Sequence, residues 1–497
     1  MSKEIKKSDQ KEYRSIFKAT SLFGGVQVFQ ILIKVIKSKF IAVLLGPEGV
    51  GILGLLTSAT DLIKSLTSMG LSQSAVRDVS EANGSNDRER INRTVSVVRR
   101  LVWITGLLGV FVVVVMSPLL STWSFGDNKY TISFIILSIT LLLDQLCAGQ
   151  KVVLQGMRRL KDLAKASVLG ATVGLLVSVP LYFLYGKDGI VPTLVISSIC
   201  ALIISWYFSK KIHIKKITLP TKDYLKYGKQ MLGMGLAMSL SSILGHAVSY
   251  IIRGFIRSNG SLDDVGMYQA GYAILTTYVG LVFSAIITDY YPRLAAVNKN
   301  NDKCRETVCQ QGDITVMIMG PMLCVCLIIM PYLIRILYSE KFLYATSFVM
   351  WGCLGMMFKL ASWLISFMFV AKAERNLFMV NEILANAYIL TFSLIGYYLW
   401  GVEGLGIAFL VNYFVYFLQV FLIAKKRYGF GFTKSFSKNY LIMLLMVVSI
   451  FLLLLFLNGI IKYVIVSIIA VLSVVFSLHT LTTKMNFSLI NKIRSKL

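Results

Sequence analysis

An all-α polytopic membrane protein is the fold class this sequence predicts, and three observations predict it. About fourteen apolar stretches, each long enough to cross a bilayer, account for most of the 497 residues. Hydrophobic residues make up 56% of the chain and the mean hydropathy is +0.71, too apolar for a soluble multidomain protein. The 51 basic residues give a formal net charge of +27, yet they gather in alternate connections between the apolar stretches. Alternation of this kind is a topology signal, so no nucleic-acid partner is expected.

The spans follow in order. The first pair, 17–45 and 50–75, flanks Gly46-Pro47 and is preceded by Lys3, Lys6, Lys7, Lys11, Arg14 and Lys18. Arg77, Arg88, Arg90, Arg93, Arg99 and Arg100 lead into 95–117; 131–155 then ends at Arg158, Arg159 and Lys161. Next come 165–185 and 189–209, joined by Gly186-Lys187-Asp188-Gly189 and followed by a basic run from Lys210 to Lys229. Spans 228–256 and 265–290 lead to the basic segment from Arg293 to Arg305, and 312–338 and 345–371 follow. Spans 377–399 and 402–424 flank Gly401-Val402-Glu403-Gly404, and the segment from Lys425 to Lys438 precedes 440–458 and 462–481. About 39 of the 51 basic residues fall on one side of this path, which assigns that side and both termini to the cytoplasm. The charged start ahead of a long first span reads as an uncleaved anchor. The seven cysteines lie in spans or an inner loop and predict free thiols.

Sliding the sequence along itself until Val50-Gly51 falls on Val265-Gly266 also lays Gly186–Gly189 on Gly401–Gly404. This repeat offset predicts two parallel six-helix lobes, 1–215 and 216–430, with an appended pair of spans and a cytoplasmic tail at 431–497. The appended pair carries one charge, Lys462, and is expected to face lipid, a partner or a lipid tail. With the longest connections at roughly 20 residues, any site must lie within the bundle.

Charges inside spans are expensive, about 2.5–3.5 kcal/mol each at the centre, and they mark candidate sites. Lys34 in span 1, Lys64 in span 2, Arg253 in span 7 and Lys359 in span 10 are cationic candidates; Asp61 and Asp144 are anionic. Asp61 and Lys64 are three apart on one helical face, where a self-neutralising pair is the plainer reading. Lys37 and Lys39 read as snorkelling to the outer interface. The repeat offset superposes Asp144 on Lys359. Either both face a central cleft, Lys359 for substrate and Asp144 for a coupling cation or proton, or they form an interdomain salt bridge. Glu382 and Asp289 read as solvated edge positions, His246 as a packed histidine, and Tyr268, Tyr272, Tyr278, Tyr397 and Tyr398 as packing or interfacial aromatics. The chain holds no G-x-x-x-x-G-K-[ST], H-E-x-x-H or C-x-x-C sequence and no carboxylate cluster, so neither nucleotide, metal nor other cofactor is expected. A secondary transporter remains, not an enzyme. The excess of deep cations over deep anions favours an anionic substrate over the organic cations of a drug antiporter.

Gly46-Pro47-Glu48-Gly49-Val50-Gly51, Tyr250-Ile251-Ile252-Arg253, Asp264-Val265-Gly266-Met267-Tyr268-Gln269 and Tyr291-Pro292-Arg293-Leu294 resemble the Wzx-type polysaccharide flippases. These belong to the multidrug/oligosaccharidyl-lipid/polysaccharide (MOP) exporter superfamily, with the multidrug (MATE) exporters and the lipid II flippases. The resemblance implies a V-shaped pair of lobes around a cationic cavity in a bacterial inner membrane. It implies export of undecaprenyl-diphosphate-linked oligosaccharide, such as O-antigen units, by alternating access, with basic residues on the diphosphate. By position it carries over Lys39 and Arg253; Lys34, Lys64 and Lys359 rest on their depth and charge. Implied partners are the lipid-linked glycan, membrane lipids and a glycan polymerase or assembly protein. A Na+ or H+ gradient is the candidate energy source, with Asp61 and Asp144 as coupling candidates. Fourteen spans depart from the twelve of many Wzx-type proteins and match the lipid II flippases, which together with MATE-type antiport remain the alternatives.

Overall fold

The computed structural model describes residues 2–85, 87–215, 217 and 220–485. The tail expected at 486–497 and Lys216 lie outside the described residues, as do the side chains of the basic residues between 3 and 18. Helices occupy nearly all of the rest: α1 (Ser2–Ser68), α2 (Leu71–Gly84), α3 (Arg88–Phe125), α4 (Thr131–Gly156), α5 (Leu160–Tyr185), α6 (Ile190–Lys210) and α7 (Thr221–Asn259). They continue with α8 (Leu262–Ala273), α9 (Leu281–Ala296), α10 (Asn301–Leu337), α11 (Ala345–Ala371), α12 (Arg375–Tyr428), α13 (Lys434–Phe456) and α14 (Ile460–Met485).

Among the described residues, nine helical segments are long and apolar enough to cross a membrane, and a bent pair within α7, Tyr227–Leu236 and Ser239–Asn259, makes a tenth. Three of the nine hold two expected spans each: Gly25–Ser68, Leu160–Lys210 and Arg375–Tyr428. The remaining expected span, 265–290, is divided into α8, a π-helical stretch at Ile274–Val279 and α9. The chain is therefore an all-α, multi-pass membrane protein, and thirteen of the fourteen expected spans fall on these apolar segments among the described residues. The nine-segment count reflects how sharply some pairs turn, because helix runs on through the turn with a single backbone break.

Those breaks fall where glycine was expected. Gly46 turns the chain at φ 68°, ψ −175°, ahead of Pro47. Gly186 (φ 54°, ψ −129°) and Gly401 (φ 59°, ψ −141°), related by the repeat offset, take nearly the same left-handed conformation, which a Cβ would oppose. Their companions match as well. A Cβ on Gly189 would sit 2.6 Å from the Leu181 carbonyl oxygen, and one on Gly404 would sit 1.8 Å from that of Gly396, again at positions the offset superposes. Each pair of glycines turns the chain and lets the second helix start against the backbone of the first. Tyr182 and Tyr397, one turn earlier and also related by the offset, are both buried.

Span 2 is shorter than 50–75 and the connection after it is not a loop. Positive φ at Met69 (47°) and Gly70 (61°) ends α1 at Ser68, and α2 follows at once. Leu71, Ala75, Val79 and Ala82 recur every three or four residues, so one face of α2 buries against α3, α4 and α7.

Two compact units result, Met1–Val265 and Gly266–Leu497. This division falls well beyond the repeat boundary at 215/216, because α7 packs on α1, α2 and α3. Three contacts fasten its far end to α3: Tyr250 Oη lies 2.9 Å from Ser124 Oγ, Arg257 Nη2 donates to the Phe125 carbonyl at 3.2 Å, and Gly254 leaves room for the Trp123 indole. In the second unit α13 and α14 are bound on one side to α10. Gly312 and Gly320 admit Phe436 and Met443, and Asn439 donates to Asp313 at 2.7 Å, the small-residue and polar contacts that hold helices together in lipid. The opposite side of the pair, including Leu445, Phe456, Ile461 and Val471, is exposed and apolar. All seven cysteines are free.

Candidate functional site

Within the first unit the candidate charges lie on α1, α4 and α7. At 1.5 Å per residue, Asp61 lies about 22 Å beyond the Gly46 break, and Asp144 about 20 Å beyond the start of α4, so both sit well inside a core about 30 Å thick. Lys64 Nζ reaches across to Asp144 Oδ2 at 2.8 Å, and Ser198 Oγ on α6 donates to the other carboxylate oxygen, also at 2.8 Å. Both oxygens of Asp144 are thus satisfied by charge-assisted or neutral donors, with the side chains of Lys64 and Asp144 35% and 36% exposed. About a third of each side chain is left uncovered by protein.

The local Asp61–Lys64 pair that their spacing allows is not the one formed. Lys64 is drawn to α4 instead, leaving Asp61 exposed, without an ion pair among the described residues, and within electrostatic range of Lys64, His246, Asp144 and Arg253. His246, read as packed, is exposed. Lys34 is exposed on α1; Lys37 and Lys39 are half-buried. Arg253 is buried, 6% exposed, and its guanidinium is turned back on its own helix, where Nη1 donates to the Ser249 carbonyl at 2.8 Å and to the Ser249 hydroxyl.

In the second unit the central feature is Lys359, about 21 Å into α11. Three rings surround its ammonium: Tyr413 at 5.0 Å, Phe409 at 5.8 Å and Phe283 at 5.9 Å from Nζ to centroid. Lys359 makes no ion pair among the described residues. Cation–π contact stabilises the ammonium, by about 2 kcal/mol where water is excluded, without cancelling its charge. Beside it, Tyr268, Tyr272, Asn412 and Tyr413 line a space of ≈ 20 Å³, room for one water, into which the buried Asn412 Oδ1 brings an acceptor with no partner. Asp289 pairs with Arg293 at 2.8 Å, Glu382 is half-buried, and Tyr398, unlike Tyr397, is exposed.

The structure thus brings Lys64 and Asp144 together, with Asp61 nearby, and gives Lys359 a separate aromatic setting. Two residues that sequence reasoning passed over complete these settings. Ser198 on α6 and Tyr413 on α12 are themselves related by the repeat offset, so the register that superposed Asp144 on Lys359 also superposes their partners.

The fold has known counterparts. An inward-facing MATE multidrug transporter of the MOP superfamily superposes with a TM-score of 0.69 at 17% identity, covering 82% of this chain and 96% of that one. The lipid II flippase MurJ, in an inward closed conformation, gives 0.65 at 14% identity over 95% and 100% of the two chains. In sequence, the chain is 22% identical over 433 residues to the lipid III flippase of Escherichia coli (strain K12), covering 83% of this chain and all of that protein. The family model described as polysaccharide biosynthesis protein matches residues 40–347, well over half of the chain. With the MOP transporter fold and a family match of that extent, the chain belongs to the polysaccharide biosynthesis protein family.

Proposed function

We propose that this protein is a flippase that carries an undecaprenyl-diphosphate-linked oligosaccharide from the cytoplasmic to the periplasmic leaflet of a bacterial inner membrane. The observation that carries the proposal is Lys359: a cation near mid-depth, held by rings and matched to no carboxylate among the described residues. A diphosphate cannot cross about 30 Å of hydrocarbon unaided, whereas the polyprenyl chain is at home there. Cations along a polar path within the bundle, alternately open to either leaflet, would supply what the diphosphate lacks. The family match and the likeness to a lipid III flippase support a lipid-linked substrate; the match in fold to a lipid II flippase fits fourteen spans.

Lys359 and the exposed Lys34 are the primary diphosphate ligands in this reading. Lys64, Lys39 and Arg253 are secondary, since Lys64 is neutralised by Asp144 and Arg253 is engaged with Ser249. Asp61, exposed and without an ion pair among the described residues, is the first candidate for coupling to a Na+ or H+ gradient. Asp144 would take part only in a state where Lys64 has left it.

The test is transport of a fluorescent undecaprenyl-diphosphate-linked oligosaccharide across reconstituted vesicles, with and without each gradient. Protein-dependent movement that a Lys34→Gln/Lys359→Gln variant loses while remaining folded is the expected result. Full movement by that variant would remove the cationic clamp. Exchange of organic cations in place of the glycolipid would move the protein to drug antiport.

A further inference from the structure

A second feature of the first unit is a cavity of ≈ 780 Å³ at the basic end of the bundle, walled by α3, α4, α6 and the segment joining α6 to α7. Its size falls in the usual range for small-molecule sites, about 300–1,000 Å³. Arg99, Arg100 and Lys210 line it, with His213 and Gln150, and among the described residues no carboxylate does. The neighbouring cavity of ≈ 430 Å³ differs. It is lined by Arg77, Arg90 and Arg93 together with Asp78, Glu81, Asp87 and Glu89, and its arginines are spent on Asp78, Glu81 and Glu89. Among the described residues, the larger of the two presents positive charge with no ion pair.

Its cations are held in a way that leaves them available. The Arg100 guanidinium stacks at 4.3 Å over the Tyr224 ring, which leaves its in-plane N–H donors free of the stacking partner, and Lys210 Nζ lies 5.0 Å from the Trp206 ring centre. One wall is fixed in place: the backbone N–H of Lys215 donates to Asn92 Oδ1 at 3.1 Å and that of Ile217 to Ser96 Oγ at 3.3 Å. From the cavity, two exposed apolar stripes run away along the spans. One comprises Trp103, Leu107 and Phe111 on α3, the other Trp206, Ile203 and Ile199 on α6. Tryptophans that line the cavity and stand half-exposed mark headgroup depth.

From this geometry we infer that the cavity binds the phosphate-bearing headgroup of an anionic glycerophospholipid, its acyl chains lying along the two stripes. A free anion would be served by the cations alone; the stripes leading from the tryptophans commit the site to a lipid. The charge pattern places it in the cytoplasmic leaflet, and the inference stands whatever the protein transports.

The full chain, reconstituted in mixed phosphatidylcholine and phosphatidylglycerol bilayers, is extracted gently and its retained lipids are counted by native mass spectrometry. Phosphatidylglycerol should be retained in preference, and Arg99→Gln/Lys210→Gln should weaken that retention roughly thirtyfold, as expected for two cations at a membrane surface. Arg77→Gln/Arg90→Gln, with the same change in net charge, should leave it intact. No preference in the unaltered protein, or equal loss in both variants, would overturn the assignment. So would a thermal shift from inorganic phosphate alone that matches the lipid's, since the site would then read a free anion. Should the first variant fail to fold, a photoactivatable phosphatidylglycerol on the unaltered protein decides. Labelling of the peptides holding Trp103 and Trp206 supports the site, and labelling confined elsewhere overturns it.

Discussion

Asp144 in the first unit and Lys359 in the second are superposed by the repeat offset at similar depth, and each leans on a residue that the same offset relates: Ser198 for one, Tyr413 for the other. Their surroundings nevertheless differ in kind. Asp144 is enclosed in a polar network, with Lys64 on one oxygen and Ser198 on the other, and the local charge sums to zero. Lys359 is enclosed by rings, which face its ammonium without supplying an opposite formal charge. Two positions related by the sequence offset therefore hold an ion-paired carboxylate in one unit and a ring-bound cation in the other. Opposite charge alone would not have separated these roles; what each charge rests against does.

The strongest way to break this contrast is to reverse the free charge. Lys359→Glu should lower glycolipid transport at least about a hundredfold in vesicles, because a like charge facing a diphosphate costs several kcal/mol. Lys64→Gln should cost less than about tenfold, since that cation is already matched. Equal losses would mean that both lysines meet the substrate and that the Asp144 pair opens during transport. The glycine turns differ in tightness as well. Gly404→Ala drives a Cβ to 1.8 Å from a backbone oxygen and Gly189→Ala to 2.6 Å, so unfolding in detergent should show about 3 kcal/mol lost for the first and about half that for the second. Indistinguishable losses would show that the two turns relax alike.

A double-mutant cycle sharpens the pairings themselves. Lys64→Met and Asp144→Leu should couple by about 1–3 kcal/mol in stability, with the double variant more stable than either single one, because each single change strands a charge. Lys359→Met and Tyr413→Leu should couple by less, about 0.5–2 kcal/mol. Coupling below the error of measurement in the first cycle would mean that the Lys64–Asp144 contact is an exposed pair of little energetic weight.

Much of this organisation is legible in the sequence, and the misses have a common cause. Apolar length marked most of the spans, and glycine spacing marked the turns at Gly46, Gly186 and Gly401, because both signals are local. The same sequence offset that aligns the glycine turns aligns Asp144 with Lys359. Partners were another matter. Three-residue spacing favours Asp61 for Lys64 on a single helix, but the chosen carboxylate is far along the chain, on α4. Likewise, the rings around Lys359 come from α9 and α12, and the Ser124 and Trp123 contacts that bury the Arg253 end of α7 come from α3. Periodicity reports which way a side chain faces on its own helix; it is silent on which helix arrives there. The short apolar repeat of α2 was within reach, since 71, 75, 79 and 82 have helical spacing, but the flanking charges made the segment look like a loop.

The smallest expected effects probe the offset-related partners directly. Ser198→Ala removes one donor from Asp144 while Lys64 remains, and at a half-exposed site water can take the vacated position, so stability should fall by about 0.5–1 kcal/mol with transport within about twofold of the starting rate. Tyr413→Phe keeps the ring and its negative face; Tyr413→Leu keeps bulk and removes the face. If the ring itself positions Lys359, transport should survive Tyr413→Phe nearly unchanged and drop about five- to thirtyfold in Tyr413→Leu, the range that about 1–2 kcal/mol of lost cation–π contact converts to. If the phenol hydroxyl matters instead, the two variants fall together, and Lys359 then belongs to a polar network after all, much as Asp144 does in the first unit.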